Sequence, residues 1–222
     1  IEPIMLAASI PDGKLGQVLD LGCGVGTAAL CYASRVEGTR IVGIEKQTKL
    51  GDLAVKNVLN NGFDRRVTIL NEDILFLSNK LANCSFCHVM ANPPFVSAKR
   101  ANPKMHPSRW SSHVEGAAKL QDWVSVAHSL LETKGTFTVI YDAGRVDNLI
   151  SLLSAGFGGI TLFPLWPSTM EKGRDAKRVL VQARKGVKSP SRLTVGMVLH
   201  QTDGSYTPAA ASILEHGSSL VL

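Results

Sequence analysis

Short apolar runs alternate with amphipathic segments along the first half of the 222-residue chain. The apolar runs predict strands at residues 17–20, 40–44, 67–70 and 86–91. Between them, apolar residues recur at spacings of three and four, which predicts helices at residues 28–35 and 49–60. Strands and helices that alternate in this order predict a parallel sheet built from β-α-β units.

The second half of the chain is predicted to complete the sheet. Helices are expected at residues 118–131 and 146–153, and strands at 136–141, 160–166 and 179–183. A turn at Lys134-Gly135 precedes the fifth strand. The complete set predicts an α/β fold with a seven-stranded mixed sheet and helices on both faces. Residues 1–184 form this domain, and residues 185–222 are expected to be a C-terminal extension packed on it.

Composition narrows the class of protein. Hydrophobic residues make up 45% of the chain and charged residues 19%, which is typical of a globular domain. No apolar run is long enough to cross a bilayer. The four cysteines show no pairing pattern, so we expect a protein of the reducing cytoplasm. Because the chain starts at Ile1 and not at a methionine, we also expect a further segment to precede it.

The net charge of +6 is unevenly distributed. Residues 96–113 carry four basic side chains and no acidic one, and residues 171–192 carry a net charge of +6, which leaves −4 on the remainder. Two basic segments on a mildly acidic body favour a polyanionic partner such as RNA, with solvated surface charge as the alternative. The candidate RNA-binding residues are Lys99, Arg100, Lys104, Arg109, Lys172, Arg174, Lys177 and Arg178.

The first strand runs into a glycine-rich loop, Asp20-Leu-Gly-Cys-Gly-Val-Gly26. Glycines let a ligand approach the backbone closely, and strand, loop and helix follow in the order of a nucleotide-binding β-α-β unit. The spacing is GxGxG, not GxGxxG, and Asp20 would repel a pyrophosphate but attract an ammonium. The loop therefore favours S-adenosylmethionine over NAD. Its candidate cofactor-binding residues are Asp20, Gly22, Cys23, Gly24 and Gly26.

Acidic side chains follow the next two predicted strands. Glu45 comes after the second strand, where a carboxylate can accept both hydroxyls of a ribose, and Asp73 follows the third, where it can accept from an adenine amino group. A single acid at such a position is commonly a helix cap, but three in succession favour a shared ligand at the carboxyl edge of the sheet. Lys46 and Ile74 are assigned to the same cofactor site as their neighbours.

The fourth strand ends in Asn92-Pro-Pro-Phe95. The prolines donate no backbone N–H and stiffen the loop, so its carbonyls are left to accept hydrogen bonds. The Asn92 amide supplies an acceptor oxygen, and the Phe95 ring offers a flat face. Together they favour a site that accepts both hydrogens of an exocyclic amino group, although a rigid turn alone would also explain the tetrapeptide. The candidate catalytic residues are Asn92, Pro93, Pro94 and Phe95, with Asn92 also at the cofactor.

Cys84-Ser-Phe-Cys-His88 matches the pattern of covalent haem attachment, and CxxC can also bind zinc. Here the motif overlaps the fourth strand, whose alternation puts Cys87 and His88 on opposite faces, and no second CxxC completes a zinc site. We therefore expect structural cysteines and no metal. His106 and His113, in the long loop that follows, stay open as bases.

These motifs, in this order, resemble those of class I S-adenosylmethionine-dependent methyltransferases with the small methyltransferase domain. The likeness rests on residues 20–26, Glu45, Asp73 and residues 92–95, and it covers most of the chain. It implies a Rossmann-like fold, S-adenosylmethionine as cofactor and S-adenosylhomocysteine as product. In this family the Asn-Pro-Pro-Phe motif implies methylation of a planar-group nitrogen: adenine N6, guanine N2 or a glutamine side chain.

Within the family, the chain is most similar to bacterial enzymes that methylate N6 of adenine 37, next to the anticodon of a valine tRNA. An entry helix at residues 3–8, a short basic link between the last two strands and the extension 185–214 carry this likeness. The resemblance implies an RNA adenine N6-methyltransferase. Guanine N2 of rRNA and glutamine N5 of a protein stay open as acceptors, as does a non-catalytic module that binds cofactor or RNA. The oligomeric state is also open.

Overall fold

The computed structural model describes residues 1–12, 16–81, 85–94, 118–168 and 175–222, without the side chains of Ser78 and Asn79. Its helices are α1 Glu2–Ala8, α2 Thr27–Arg35, α3 Thr48–Asn60, α4 Leu77–Lys80, α5 Leu120–Leu130, α6 Val146–Leu153 and α7 Pro208–His216. Its strands are β1 Gln17–Leu21, β2 Arg40–Ile44, β3 Val67–Leu70, β4 Phe86–Ala91, β5 Leu131–Asp142, β6 Phe157–Trp166, β7 Arg178–Lys185, β8 Arg192–Leu193 and β9 Met197–Val198.

The described strands form one sheet in which β3, β2, β1, β4, β5, β7 and β6 lie side by side in that order. Strands β1 to β5 run parallel, whereas β7 is antiparallel to β5 and β6. The α/β class and the mixed sheet predicted from the sequence are confirmed. The described sheet has two more strands than the seven expected, because β8 and β9 from the C-terminal segment pair with β6.

Strand β1 lies where the winding of the sheet changes direction. Strands β2 and β3 lie on one side of it, and β4 and β5 lie on the other. In doubly wound sheets, ligands bind in the crevice at the carboxyl ends of the strands at this switch point. The topology therefore predicts a ligand site among the loops that follow β1, β2 and β4.

Helices cover both faces of the sheet. Along β4, Val89 packs into the core that α5 and α6 cover, and Met90 packs into the core that α1, α2 and α7 cover. In β1, Leu19 packs into the first of these cores and Val18 packs into the second. Burial on both faces explains why β4 is a continuous apolar run with all six residues buried, and not an alternating one.

Strand β5 begins earlier than predicted and contains a bulge. Leu131 pairs with Phe86 and Thr136 pairs with His88, so residues 132–135 bulge out between two registered pairs. Lys134 has a φ of 64°, in the left-handed region. The turn predicted at Lys134-Gly135 is therefore a bulge within the strand.

The C-terminal segment supports α1. Thr207 caps α7 by accepting a hydrogen bond from Ala210 N over 3.2 Å. Ala210 and Ile213 of α7 belong to the same core as the buried face of α1. Leu220 N donates to Ala8 O over 2.8 Å and ties the chain end to the last residue of α1. These contacts hold α1 against the sheet beside the loop that follows β4.

Candidate active site

A cleft of about 500 Å³ opens at the carboxyl ends of β1, β2, β3 and β4. Its lining includes most of the predicted site residues: Asp20, Gly22, Cys23, Gly24, Glu45, Lys46, Asp73, Ile74, Asn92 and Pro94. Gly26 and Pro93 do not line it, and Phe95 lies outside the described residues. The fold thus brings residues from four strand ends together in one cleft.

The glycine-rich loop leaves β1 through left-handed residues. Gly22, Gly24 and Gly26 have φ angles of 67°, 57° and 84°, which glycine adopts without strain. Cys23 N donates to Ile44 O over 2.8 Å, which ties the loop to β2. A Cβ placed on Gly24 would meet no atom within 4 Å, and Gly24 lines the cleft. A ligand can therefore lie directly against the backbone at this residue.

Glu45 shapes this loop and also faces the cleft. Its Oε2 accepts from Gly24 N over 3.0 Å, and its Oε1 accepts from Gln47 N over 2.8 Å. Each carboxylate oxygen keeps a further lone pair, so the side chain can still accept hydrogen bonds from hydroxyl groups. The sequence predicted the acceptor for ribose but not the contact to Gly24, which joins the ends of β1 and β2.

Asp20 is buried at the end of β1, and its Oδ2 has no hydrogen-bond partner among the described residues. Burial raises the pKa of this carboxyl to about 7; a hydrogen bond from the Ala29 backbone opposes the rise, and the Glu45 charge adds to it. A nearby cation would favour the ionised form and lower this pKa. The environment therefore suits the ammonium group of an amino-acid ligand.

Asp73 both caps a turn and borders the cleft. Its Oδ1 accepts from Leu75 N over 3.1 Å, which caps the 3-10 turn Ile74–Phe76, and its Oδ2 lies 3.9 Å from Lys46 Nζ. The cap that the sequence offered as the alternative is therefore present, and the role of Asp73 as an acceptor for an adenine amino group stays a prediction. Ile74 is buried and lines the cleft next to it, so it offers an apolar surface to a flat ring.

Asn92 follows β4 and lies beside α1. Its Nδ2 is 3.5 Å from Glu2 Oε2, across 90 positions of the chain. A carboxylate accepts but does not donate, so the amide nitrogen faces Glu2 and Oδ1 is the acceptor that points elsewhere. Within the described ranges, Oδ1 has no hydrogen-bond partner. Asn92 lines the cleft, and its role as the acceptor for an amino group stays a prediction.

The cleft lining also includes residues that were not predicted from the sequence, among them Trp123 on α5, and Pro3 and Leu6 on α1. The Trp123 ring lies directly against Gly22. Its sequence signal was the apolar face of a helix, which predicts burial but not the partner. Pro3 and Leu6 belong to the entry helix, which was predicted, but nothing in their spacing points to a ligand.

The basic residues predicted to contact RNA are only partly described. Lys99, Arg100, Lys104, Arg109, Lys172 and Arg174 lie outside the described residues, as do His106 and His113. Lys177 is exposed. Arg178 is half-buried and forms ion pairs with Glu2 and Asp142. Its RNA contact stays a prediction, and the structure adds a role inside the protein.

In the described parts of the chain, Cys23 and Cys87 are buried and Cys31 is half-buried. Cys87 Sγ donates to Gln17 O over 3.3 Å, and Cys84 lies outside the described residues. Burial, with the Asp20 and Glu45 charges, raises the pKa of the Cys23 thiol, so this thiol stays protonated at neutral pH. In the same parts of the chain, no group of three or more His, Cys, Asp or Glu side chains is placed to hold a metal ion. No helix there combines the length and apolarity needed to span a membrane.

The cleft residues fit S-adenosylmethionine. The unpartnered Oδ2 of Asp20 suits the ammonium group of its amino-acid part, and Glu45 has lone pairs for ribose hydroxyls. Gly24 leaves the backbone open to a ligand. These features, on a doubly wound sheet, define a nucleotide-cofactor methyltransferase. A family model described as the methyltransferase small domain matches residues 4–161, and the chain belongs to this family, which together with the fold implies S-adenosylmethionine.

Individual relatives agree with this assignment. A tRNA1(Val) (adenine(37)-N6)-methyltransferase of Porphyromonas gingivalis is 27% identical over 214 residues, 94% of this chain and 82% of its own. The enzyme of that name from Photorhabdus laumondii is 24% identical over 207 residues, covering 92% and 81%. A crystal structure of a predicted O-methyltransferase from Agrobacterium tumefaciens matches 100% of this chain and 99% of its own with a TM-score of 0.81 and 21% identity. At that identity it supports the fold alone, and the Rossmann-like methyltransferase fold is confirmed.

Proposed function

We propose that this protein methylates the N6 amino group of an adenine in RNA, and that the RNA is a tRNA methylated at adenine 37, next to the anticodon. The observation that carries the proposal is the Asn92 amide at the cofactor cleft, with its nitrogen toward Glu2 and its oxygen left as an acceptor. The names of the two tRNA-modifying relatives support the same acceptor. S-adenosylmethionine, when bound, supplies a methyl group activated by the positive sulfur.

Asn92 is proposed to activate the amino group by accepting one of its hydrogens. The lone pair of an adenine amino group is delocalised into the ring, so the nitrogen is a weak nucleophile. A hydrogen bond to Oδ1 of Asn92, which lines the cleft, favours a pyramidal nitrogen and aims its lone pair. Catalysis of this kind works by positioning and electrostatics and needs no strong base. The protonated thiol of Cys23 agrees with a mechanism without a cysteine nucleophile.

Phe95 is proposed to stack on the target base. The base must be unpaired or turned out of its stack to enter the cleft. Stacking on an aromatic side chain contributes about 1–3 kcal/mol per base in single-strand binding proteins. An adenine in an anticodon loop is single-stranded, which reduces the cost of turning it outward.

Contact with the RNA backbone is proposed for the basic segments 96–113 and 171–192. Their positive charge suits phosphates, and Lys177 is exposed at the start of β7. A tRNA substrate supports the cytoplasmic location that we propose for the protein.

The test is single-turnover methyl transfer to tRNA, followed by digestion and identification of the methylated nucleoside. The wild type is expected to form N6-methyladenosine. The Asn92→Ala variant should react about 10²–10³ times more slowly, because it loses an interaction made chiefly in the transition state. Its affinity for S-adenosylhomocysteine should change by less than about twofold.

Asn148→Ala is the matched control, because Asn148 is exposed on α6, outside the cleft. It should react at the wild-type rate. A product methylated at guanine N2, or methyl transfer to a protein glutamine, would replace the proposed acceptor. An Asn92→Ala variant as fast as the wild type would remove the proposed role of Asn92.

A further inference from the structure

A chain of charged side chains ends at Asn92. Glu2 Oε1 lies 2.5 Å from Arg178 Nε, and Arg178 Nη1 lies 3.4 Å from Asp142 Oδ2. The other oxygen of Glu2, Oε2, lies 3.5 Å from Asn92 Nδ2. The four residues come from α1, the start of β7, the end of β5 and the loop after β4.

The ion pairs are shielded enough to hold Glu2 in place. The side chains of Glu2, Arg178 and Asp142 are 27%, 24% and 32% exposed. Arg178 also donates to Lys177 O over 3.0 Å, which fixes its guanidinium further. A guanidinium bound on several sides restricts the carboxylate that it holds. Glu2 is thereby left with one oxygen for Arg178 and one for Asn92.

An asparagine amide has two orientations of almost the same shape, and only one of them suits the proposed reaction. With Oδ1 toward the cleft it accepts a hydrogen from an amino group, whereas with Nδ2 toward the cleft two donors would face each other. A carboxylate accepts only, so Glu2 favours the nitrogen on its own side. The contact of 3.5 Å is long for a hydrogen bond, and its selective effect is therefore mainly electrostatic.

We propose that Glu2, held by Arg178, is a positioning residue that selects the reactive orientation of the Asn92 amide. This inference rests on the proposed function, because it assumes that Asn92 accepts from the target amino group. In this scheme, neither Glu2 nor Arg178 touches the substrate. The proposal also gives Arg178 a role other than the phosphate contact expected from the sequence, namely to hold Glu2 in place.

The proposal is tested by exchanging the carboxylate and the amide between positions 2 and 92. Asn92→Asp places a carboxylate against Glu2, and like charges repel, so methyl transfer should slow by about a hundredfold. Glu2→Gln alone should lower kcat by about tenfold with an unchanged KM for RNA, because the amide loses its preferred orientation. In the double variant the glutamine can donate to the new carboxylate, and activity should exceed that of Asn92→Asp alone by about tenfold. If Glu2 served only to hold α1 in place, the double variant would be the slowest of the three, and the proposal would fail.

The second measurement needs no substrate. Nuclear magnetic resonance of the Asn92 side-chain amide should show solvent exchange about tenfold faster in Glu2→Gln and Arg178→Met than in the wild type. The first variant removes the negative charge that faces the amide nitrogen, and the second removes the guanidinium that holds this charge in place. Arg184→Met is the control: Arg184 is exposed on the same strand and has no ion pair among the described residues. Unchanged exchange in Glu2→Gln and Arg178→Met would overturn the proposal. If solvent exchange of the Asn92 amide becomes faster in both variants but the wild type methylates no adenine, the positioning role is supported and the proposed acceptor is wrong.

Discussion

The Trp123 ring lies so close to Gly22 that a Cβ on the glycine would sit 2.5 Å from Trp123 Cη2. Both residues line the cleft, and Trp123 is 8% exposed. Helix α5 therefore supports the glycine-rich loop by direct contact with its first glycine. Position 22 needs glycine for two reasons, because its φ is 67° and because the ring occupies the space of a side chain.

Gly22→Ala should destabilise the protein and weaken cofactor binding together. Overpacking costs about 1–3 kcal/mol, and a left-handed non-glycine residue costs about 1–2 kcal/mol more. The expected loss in the free energy of unfolding is therefore about 2–5 kcal/mol, measured by urea denaturation. Because Trp123 must move to admit the methyl group, the affinity for S-adenosylhomocysteine should fall as well.

Gly24→Ala separates the cost of the left-handed backbone from the cost of the contact with Trp123. Its φ of 57° also disfavours alanine, but an added Cβ would meet no atom within 4 Å. The stability loss should be limited to about 1–2 kcal/mol. The affinity for S-adenosylhomocysteine should nevertheless fall, since the new methyl group would point into the space proposed for the ligand. Equal stability losses in the two variants would show that the Trp123 contact adds nothing.

Glu45→Gln should weaken S-adenosylhomocysteine binding by about 10- to 100-fold, because a charged acceptor for the ribose hydroxyls is lost. A glutamine has one acceptor oxygen, so it can serve Gly24 N or Gln47 N but not both. Glu45→Ala leaves both N–H groups without this partner and should lower the melting temperature as well. Calorimetric titration gives the affinity, and thermal denaturation gives the stability.

Glu37→Gln is the matched control for Glu45, because Glu37 is exposed after α2 and does not line the cleft. It should bind S-adenosylhomocysteine like the wild type. Tight binding of NAD, with no response to S-adenosylhomocysteine in the wild type, would contradict the assignment of Glu45 and of the whole cleft.

Local sequence patterns predicted the parts of this site that depend on neighbours along the chain. The bounds of β2, β3 and β4 agree with the apolar runs, each of which is followed directly by a polar residue. Since parallel strands align their carboxyl ends, the residues Asp20, Glu45, Asp73 and Asn92 could be placed at one edge before any contact was known. The cleft contains all four.

Contacts between distant segments could not be predicted in this way. An apolar helix face shows that Trp123 is buried but not that it touches Gly22, and no periodicity relates Glu2 to Asn92. The strands β8 and β9 have two residues each, which is too short for an alternation to be recognised. Partners of this kind depend on packing of the whole fold, and sequence position contains little information about them.

Binding of tRNA should depend steeply on salt if the basic segments contact phosphates. Each phosphate contact contributes about −0.7 to −0.9 to the slope of log K against log salt. Replacing Lys172, Arg174 and Lys177 by glutamine should therefore flatten the slope by about 2–3. Adding Arg178→Gln should change it little further, because the Arg178 guanidinium is already paired with Glu2 and Asp142.

The control for this charge effect is the triple variant of Lys49, Lys56 and Arg65, which are exposed on or after α3, outside both basic segments. Removal of the same number of charges there should leave the slope nearly unchanged. If both triple variants flatten the slope equally, the dependence reflects net charge and the basic segments have no special contact with RNA.

The buried carboxyl of Asp20 should make cofactor affinity depend on pH. Its pKa of about 7 in the folded protein means that only about a tenth is ionised at pH 6 and about three quarters at pH 7.5. The ammonium group of a ligand binds the ionised form better, so S-adenosylhomocysteine should bind about eightfold more tightly at the higher pH. Binding near pH 6.5 should release a proton, which calorimetry in buffers of different ionisation enthalpy can measure.

The same carboxyl should lower stability as pH rises. Its folded pKa lies above its ordinary value of 3.8, so between pH 4 and 7 the folded state binds more protons than the unfolded state. The free energy of unfolding should therefore decrease through this window, by about 4 kcal/mol at most. Asp20→Asn should remove this contribution, so it should be more stable than the wild type above pH 7 and should bind S-adenosylhomocysteine weakly at every pH. A wild-type affinity that does not change between pH 6 and 7.5 would contradict the assignment of Asp20 as the cation acceptor.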